Sequence, residues 1–247
     1  MALTAFVGLV LLATFAERRI LVPYALDRPP VDEVEYWEKH VERNERNAAS
    51  RLRLGLAYAK VGQLDPADDS FSTALALKSD YDAAAIGRYG VVVRKHEPAR
   101  ALAELDDYAR SHPSCAVCWQ NLAAEYLSQK NLRAAEEAVL ALLASDFSID
   151  SKMYSVENME VEASVLAGRV YAARGDYPRA IDFFRDSIAR DPTDVRAYIL
   201  QAKSLLASHE PGSARAVLEE ASKRTDANER HQREIERLIR RARQVQR

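Results

Sequence analysis

Cys115 and Cys118 form a C-x-x-C pair inside the stretch PSCAVCWQNLAAEY, residues 113–126, and His112 stands three residues before the first of them. This spacing serves a redox dithiol, half of a zinc site, or covalent haem attachment. Haem attachment needs a histidine directly after the second cysteine, where this chain has Trp119. Zinc takes four protein ligands in a closed site or three and a water in an open one. His112, Cys115 and Cys118 could supply three, but no second C-x-x-C is present. A thiol near a helix N-terminus has a lowered pKa, so a reactive dithiol is physically possible. The plainer alternative is that the two cysteines only open a helix, and we expect that one here, with no metal and no cofactor.

Little else in the chain suggests chemistry. His40, His96, His112, His209 and His231 are scattered, and no H-E-x-x-H, G-x-x-x-x-G-K-[ST] or G-x-S-x-G stretch occurs. No catalytic residue is expected, and the chain does not read as an enzyme. The net charge of −2 gives no global electrostatic case for nucleic acid. The segment from Arg224 onward has eight arginines against four acids, but interspersed glutamates favour a solvated helix face.

The elements that would position such residues are helices. Gly and Pro number 8 and 9 in 247 residues, while Ala, Leu, Arg and Glu, which lose little rotamer freedom in a helix, are abundant. Ala67, Ala101 and Ala135 are 34 residues apart, as are Ala180 and Ala214; the gap from 135 to 180 is 45, one period plus 11. Four residues after each comes a large apolar group: Phe71, Leu105, Val139, Phe184 and Leu218. A 34-residue period with this small-to-large step is the mark of stacked helical hairpins, none of which can bury its apolar face alone.

Residues 161–194, VEASVLAGRVYAARGDYPRAIDFFRDSIARDPTD, carry Ala167-Gly168, Tyr171, Gly175, Ala180, Phe184 and Pro192; residues 48–81 carry Leu54-Gly55, Tyr58, Gly62, Ala67 and Phe71. In these positions the chain resembles the tetratricopeptide repeat (TPR) family, in weaker form at 82–115, 116–149 and 195–228. The resemblance implies an all-α, right-handed TPR superhelical solenoid of about five helix-turn-helix repeats, with an N-terminal transmembrane helix added by this chain. The expected domains are a membrane anchor at 1–22, a linker and capping helix at 23–47, repeats 1–3 at 48–149, an insertion at 150–160, repeats 4–5 at 161–228, and a capping helix at 229–247. Ile235, Leu238, Ile239, Ala242 and Val245 would be the apolar stripe of that last helix.

By the same resemblance, a peptide-binding groove is lined by the first helix of each repeat. Its residues here would be Leu52, Leu56, Lys60, Ile86, Val93, Arg94, Gln120, Leu127, Val165, Arg169, Arg196, Ile199 and Lys203. About half of these are expected to pack against neighbouring helices. The family's carboxylate clamp needs Lys and Asn at the fifth and ninth repeat positions. Those positions hold Leu52, Ile86, Gln120, Val165, Ile199 and Leu56, Gly90, Ala124, Arg169, Lys203, so the clamp is missing. An apolar groove with cations suits an amphipathic helix or an acidic-apolar extended segment of a protein partner.

The first sixteen residues contain no charge and are followed by Glu17, Arg18 and Arg19. Phe6, Val7, Leu9, Val10, Leu11, Leu12 and Phe15 make a candidate membrane anchor, read as retained because a signal peptide normally begins with a basic stretch. The arginine pair places the body in the cytoplasm by the positive-inside rule, with a periplasmic body as the alternative. The expected role is a single-pass, membrane-anchored TPR scaffold that assembles or stabilises a membrane protein complex, with no nucleic acid partner. The alternatives are a permanent accessory subunit, a periplasmic TPR factor for cytochrome c maturation, and a thiol or metal protein using Cys115 and Cys118.

Overall fold

A computed structural model describes residues 30–145, 147, 156–224 and 228–245 of the chain. These residues form twelve helices and, among them, no strand: α1 (Pro30–Arg43), α2 (Ala48–Lys60), α3 (Leu64–Leu77), α4 (Asp82–Arg94), α5 (Pro98–Ser111), α6 (Ala116–Ser128), α7 (Leu132–Ala144), α8 (Val156–Ala173), α9 (Tyr177–Arg190), α10 (Val195–Ala207), α11 (Pro211–Arg224) and α12 (Glu229–Val245). The chain divides between Cys118 and Trp119 into two compact units. The anchor residues Phe6 to Phe15, and the linker up to residue 29, lie outside the described residues. Among the described residues, no helix is long and apolar enough to cross a membrane.

Helix boundaries follow local chemistry. Asn47, Asn131, Asp176, Asp194 and Asn228 each accept a backbone N–H of the following first turn, at 3.0–3.3 Å; Asn47 does so from Ser50 at 3.0 Å. The first helix of every repeat ends at a left-handed residue: Gly62 (φ 82°), His96 (63°), Lys130 (60°), Gly175 (81°) and His209 (62°). Three of the five carry a side chain in a conformation that favours glycine. We therefore expect His96→Gly, Lys130→Gly and His209→Gly each to raise stability by about 0.5–1 kcal/mol in urea unfolding. Gly62→Ala should cost about 1 kcal/mol for backbone reasons alone, since a Cβ there would meet nothing within 4 Å.

Inside each unit the repeat positions form the core. Ala67, Ala101, Ala135, Ala180 and Ala214 are buried, and so are Phe71, Leu105, Val139, Phe184 and Leu218. The small residue lets paired helices approach, and the large one fills the gap to the next hairpin. Phe71 fits where two glycines leave room: a Cβ on Gly55 or Gly87 would lie 2.8 or 2.7 Å from its Cε1. Phe184 stands likewise against Gly168. In the second unit, α12 closes the row, with Ile235, Leu238 and Ala242 packed into a cluster with Tyr198, Leu205, Leu218 and Ala221. Val245 differs from the expected stripe: it is 54% exposed, one turn beyond the last covered position. The end of the insertion adds to a helix, because α8 begins at Val156, five residues before the repeat would, and runs 18 residues. Residues 150–155 lie outside the described ones.

Candidate functional site

First helices of successive repeats touch one another, α2 with α4 and α8 with α10, and the capping helix α12 meets α10 in the same way. These contacts give each unit a face made of first helices, and the expected groove residues fall on it unequally. In the first unit, Leu52 is buried, while Leu56, Ile86 and Val93 are half-buried. In the second, Val165 and Ile199 are buried, and Gln120 and Leu127 are half-buried. Leu52, Val165 and Ile199 thus fill the seams between neighbouring helices, which leaves them little surface for a ligand.

The cations of this face are mostly occupied. Lys60 pairs with Glu33 of α1 at 2.8 Å, and Arg94 donates to the Ala59 carbonyl at 2.7 Å. Arg196 is held by Glu162 at 2.6 Å and by Asp194 at 2.9 Å. Lys203 pairs with Glu234 of α12 at 2.7 Å, and that contact keeps the Glu234 carboxyl below the usual carboxylate range. Arg169 differs: it has no hydrogen-bond or ion-pair partner among the described residues. Desolvation pulls its guanidinium below the ordinary arginine value; Glu162 opposes this shift and Arg196 adds to it. By accessible surface the residue is nonetheless exposed.

Cys115 and Cys118 sit where helix α6 begins, as expected, but they are not a chemically idle pair. They are joined by a disulfide, with Cα atoms 5.3 Å apart, and both are fully buried. The physical reason is the helix start itself, which folds residues three apart onto one side and brings both Sγ atoms together. Cys115 Sγ accepts the Cys118 backbone N–H at 3.3 Å. His112, the possible third donor, turns elsewhere: it stacks on Tyr108 with centroids 4.2 Å apart, and its Nδ1 lies 3.0 Å from the Tyr108 carbonyl. Asp82, the first residue of α4, takes its place. A carboxylate oxygen of Asp82 and the two sulfurs lie within 4.8 Å of one another. The Tyr108 hydroxyl donates to Asp82 Oδ1 at 2.8 Å, and burial together with that bond raises the Tyr108 hydroxyl well above the usual phenol range.

A second polar cluster in the first unit had no sequence signal. The buried Asp68 accepts from Arg88 Nε at 2.8 Å and from Lys95 at 3.3 Å, with Arg100 at 3.6 Å. Lys95 also reaches Asp65, at 2.7 Å, and Arg100 reaches Glu104, at 2.9 Å. Burial alone would raise the Asp68 carboxyl, but the bonds from Arg88 and Lys95 and their charges outweigh it, and the carboxyl lies below the usual range.

Two family profiles, both described as tetratricopeptide repeat, match the chain at residues 171–237 and 48–81. Both stretches carry the tetratricopeptide repeat. Solved TPR structures share the fold. YrrB, described as a TPR protein with an unusual peptide-binding site, is 17% identical over 85% of this chain and 99% of its own, with a TM-score of 0.60. PilF of Pseudomonas aeruginosa is 19% identical over 83% of this chain and 88% of its own, also at 0.60. A TPR protein from Parabacteroides merdae is 17% identical over 87% and 86%, at 0.56. No curated protein sequence matches the chain significantly. At these identities the likeness is one of all-helical TPR fold.

Proposed function

We propose that this protein is a TPR scaffold that holds an acidic-apolar or amphipathic helical segment of a protein partner on its first-helix faces, and that it does so at a membrane, in assembling or stabilising a membrane protein complex. The observation that carries the binding role is Arg169. An exposed guanidinium with no hydrogen-bond or ion-pair partner among the described residues is open to a carboxylate brought to it, and a charge-assisted bond would form there. Arg196 and Lys203, already paired, instead fix the neighbouring helices in place. The membrane role rests on the uncharged residues 1–16 and the Arg18–Arg19 pair. YrrB, described as having a peptide-binding site, lends the binding role an analogy through the shared fold.

The Arg18–Arg19 pair supports a cytoplasmic body by the positive-inside rule. The Cys115–Cys118 disulfide favours a second reading, with the body on an oxidising side of the membrane. A tag after residue 247, probed with protease in spheroplasts, separates the two, since only the second leaves the tag accessible from outside.

Purification of the full chain from native membranes in mild detergent tests the proposal. A fixed set of membrane subunits at constant ratio is expected, and Arg169→Glu should deplete one of them at least tenfold, through a lost charge pair of about 1.4 kcal/mol or more, with the melting temperature unchanged. Recovery of the protein alone in the soluble fraction, with its N-terminus at residue 17 or later, would overturn the membrane role. Unchanged partners with Arg169→Glu would overturn the binding site.

A further inference from the structure

The Asp82, Cys115 and Cys118 cluster belongs to no groove, and its chemistry is distinct from peptide binding. We propose that these three side chains form a site for a thiophilic divalent cation of the zinc class when the cysteines are reduced, and that the disulfide is the metal-excluding state of the same site. The donor set carries this inference. Zinc binds thiolate sulfur at about 2.3 Å and carboxylate oxygen at about 2.0–2.2 Å, so tetrahedral donors lie somewhat under 4 Å apart. The three donor atoms here already lie within 4.8 Å of one another, one from the start of α4 and two from the start of α6. Reduction lets the sulfurs separate by side-chain rotation, which their 5.3 Å Cα spacing allows.

The surroundings suit a metal. The N-terminal turn of α6 favours thiolate over thiol, and the Cys118 N–H already points at Cys115 Sγ. Tyr108 holds one oxygen of Asp82 at 2.8 Å, which orients the carboxylate as a metal's outer partners commonly do. Three protein donors leave the fourth position to water, as in an open site.

The reaction balances. A dithiol reductant gives two electrons and two protons to the Cys115–Cys118 bond and becomes a disulfide itself, leaving two thiols. One zinc-class dication then displaces both thiol protons into solvent and forms two metal–sulfur bonds and one metal–oxygen bond to Asp82. Oxidation by a disulfide or hydrogen peroxide takes two electrons from the two thiolates, re-forms the Cys115–Cys118 bond as both metal–sulfur bonds break, and releases the cation; the oxidant takes up two protons and leaves as two thiols or two waters.

The test is an anaerobic Co²⁺ titration of the full chain, before and after reduction with a phosphine. One Co²⁺ per reduced chain is expected, with a near-ultraviolet thiolate-to-cobalt band and visible bands of a tetrahedral site; the oxidised chain should show neither. Cys118→Ser should abolish the bands. Asp82→Asn should weaken binding by about tenfold or more, while Tyr108→Phe keeps the bands and weakens binding less. Absence of the bands in the reduced wild type overturns the proposal, and this comparison needs no variant to fold. Asp82→Asn binding as tightly as wild type overturns the role of the carboxylate.

Discussion

Phe71→Ala is expected to lower the unfolding free energy of the first unit by about 3–5 kcal/mol, the range for a buried phenylalanine whose site cannot collapse. Collapse is hard here because the ring is walled by backbone. Gly55 on α2 and Gly87 on α4 stand so close that a Cβ at either would come within 2.8 Å of it. The same geometry predicts the sign of a coupling. Gly87→Ala in the wild type should cost about 1–3 kcal/mol by overpacking. In the Phe71→Ala background the added methyl fills part of the vacated space, so its cost should fall near zero or reverse. Urea unfolding of the two single variants and the double variant measures this directly. If the two effects simply add, the alanine methyl does not meet the ring, and the packing described for Phe71 is wrong.

Asp68→Asn is the second large effect. The carboxylate is the common partner of Arg88, Lys95 and Arg100, and its removal leaves three cations facing each other around a neutral amide. We expect a loss of about 2–3 kcal/mol, less than the 3–5 kcal/mol for a fully buried pair because the cations themselves reach solvent. The pH dependence has a definite sign. Asp68 is held below its unfolded value, so its contribution is fully present above about pH 4 and is lost as pH falls through the lower folded value. The stability gap between wild type and Asp68→Asn should therefore be constant at neutral pH and shrink below about pH 4. A gap unchanged down to pH 2 would show that Asp68 acts through shape, with its charge contributing nothing.

The spacing of five alanines made the hairpin period visible, because sterics at a close helix crossing leave few residue choices, and the same choice recurs at each period. The groove was legible only in part. Repeat numbering places Leu52, Val165 and Ile199 on the first-helix face, yet they are buried, since the numbering gives an angle around one helix and says nothing of how near the next helix comes. The cysteine pair misled for a different reason. C-x-x-C at a helix start is compatible with several chemistries, and the group that narrows the choice, Asp82, lies 33 residues before Cys115, one residue short of a full period. Asp68 was invisible because an aspartate on an exposed turn and one ringed by three cations look alike in sequence.

Within each unit, the packed helix pairs are chain neighbours or next but one along the chain. Contacts so close along the chain require only small loops to close, and the entropy lost in closing a loop grows with its length. Folding can therefore begin at any hairpin and spread by zippering, with rates nearer those of helical bundles than of sheet proteins. On the ribosome, where the chain emerges from its N-terminus, each hairpin within a unit can form on the preceding one as it appears, before the rest of the chain has been made.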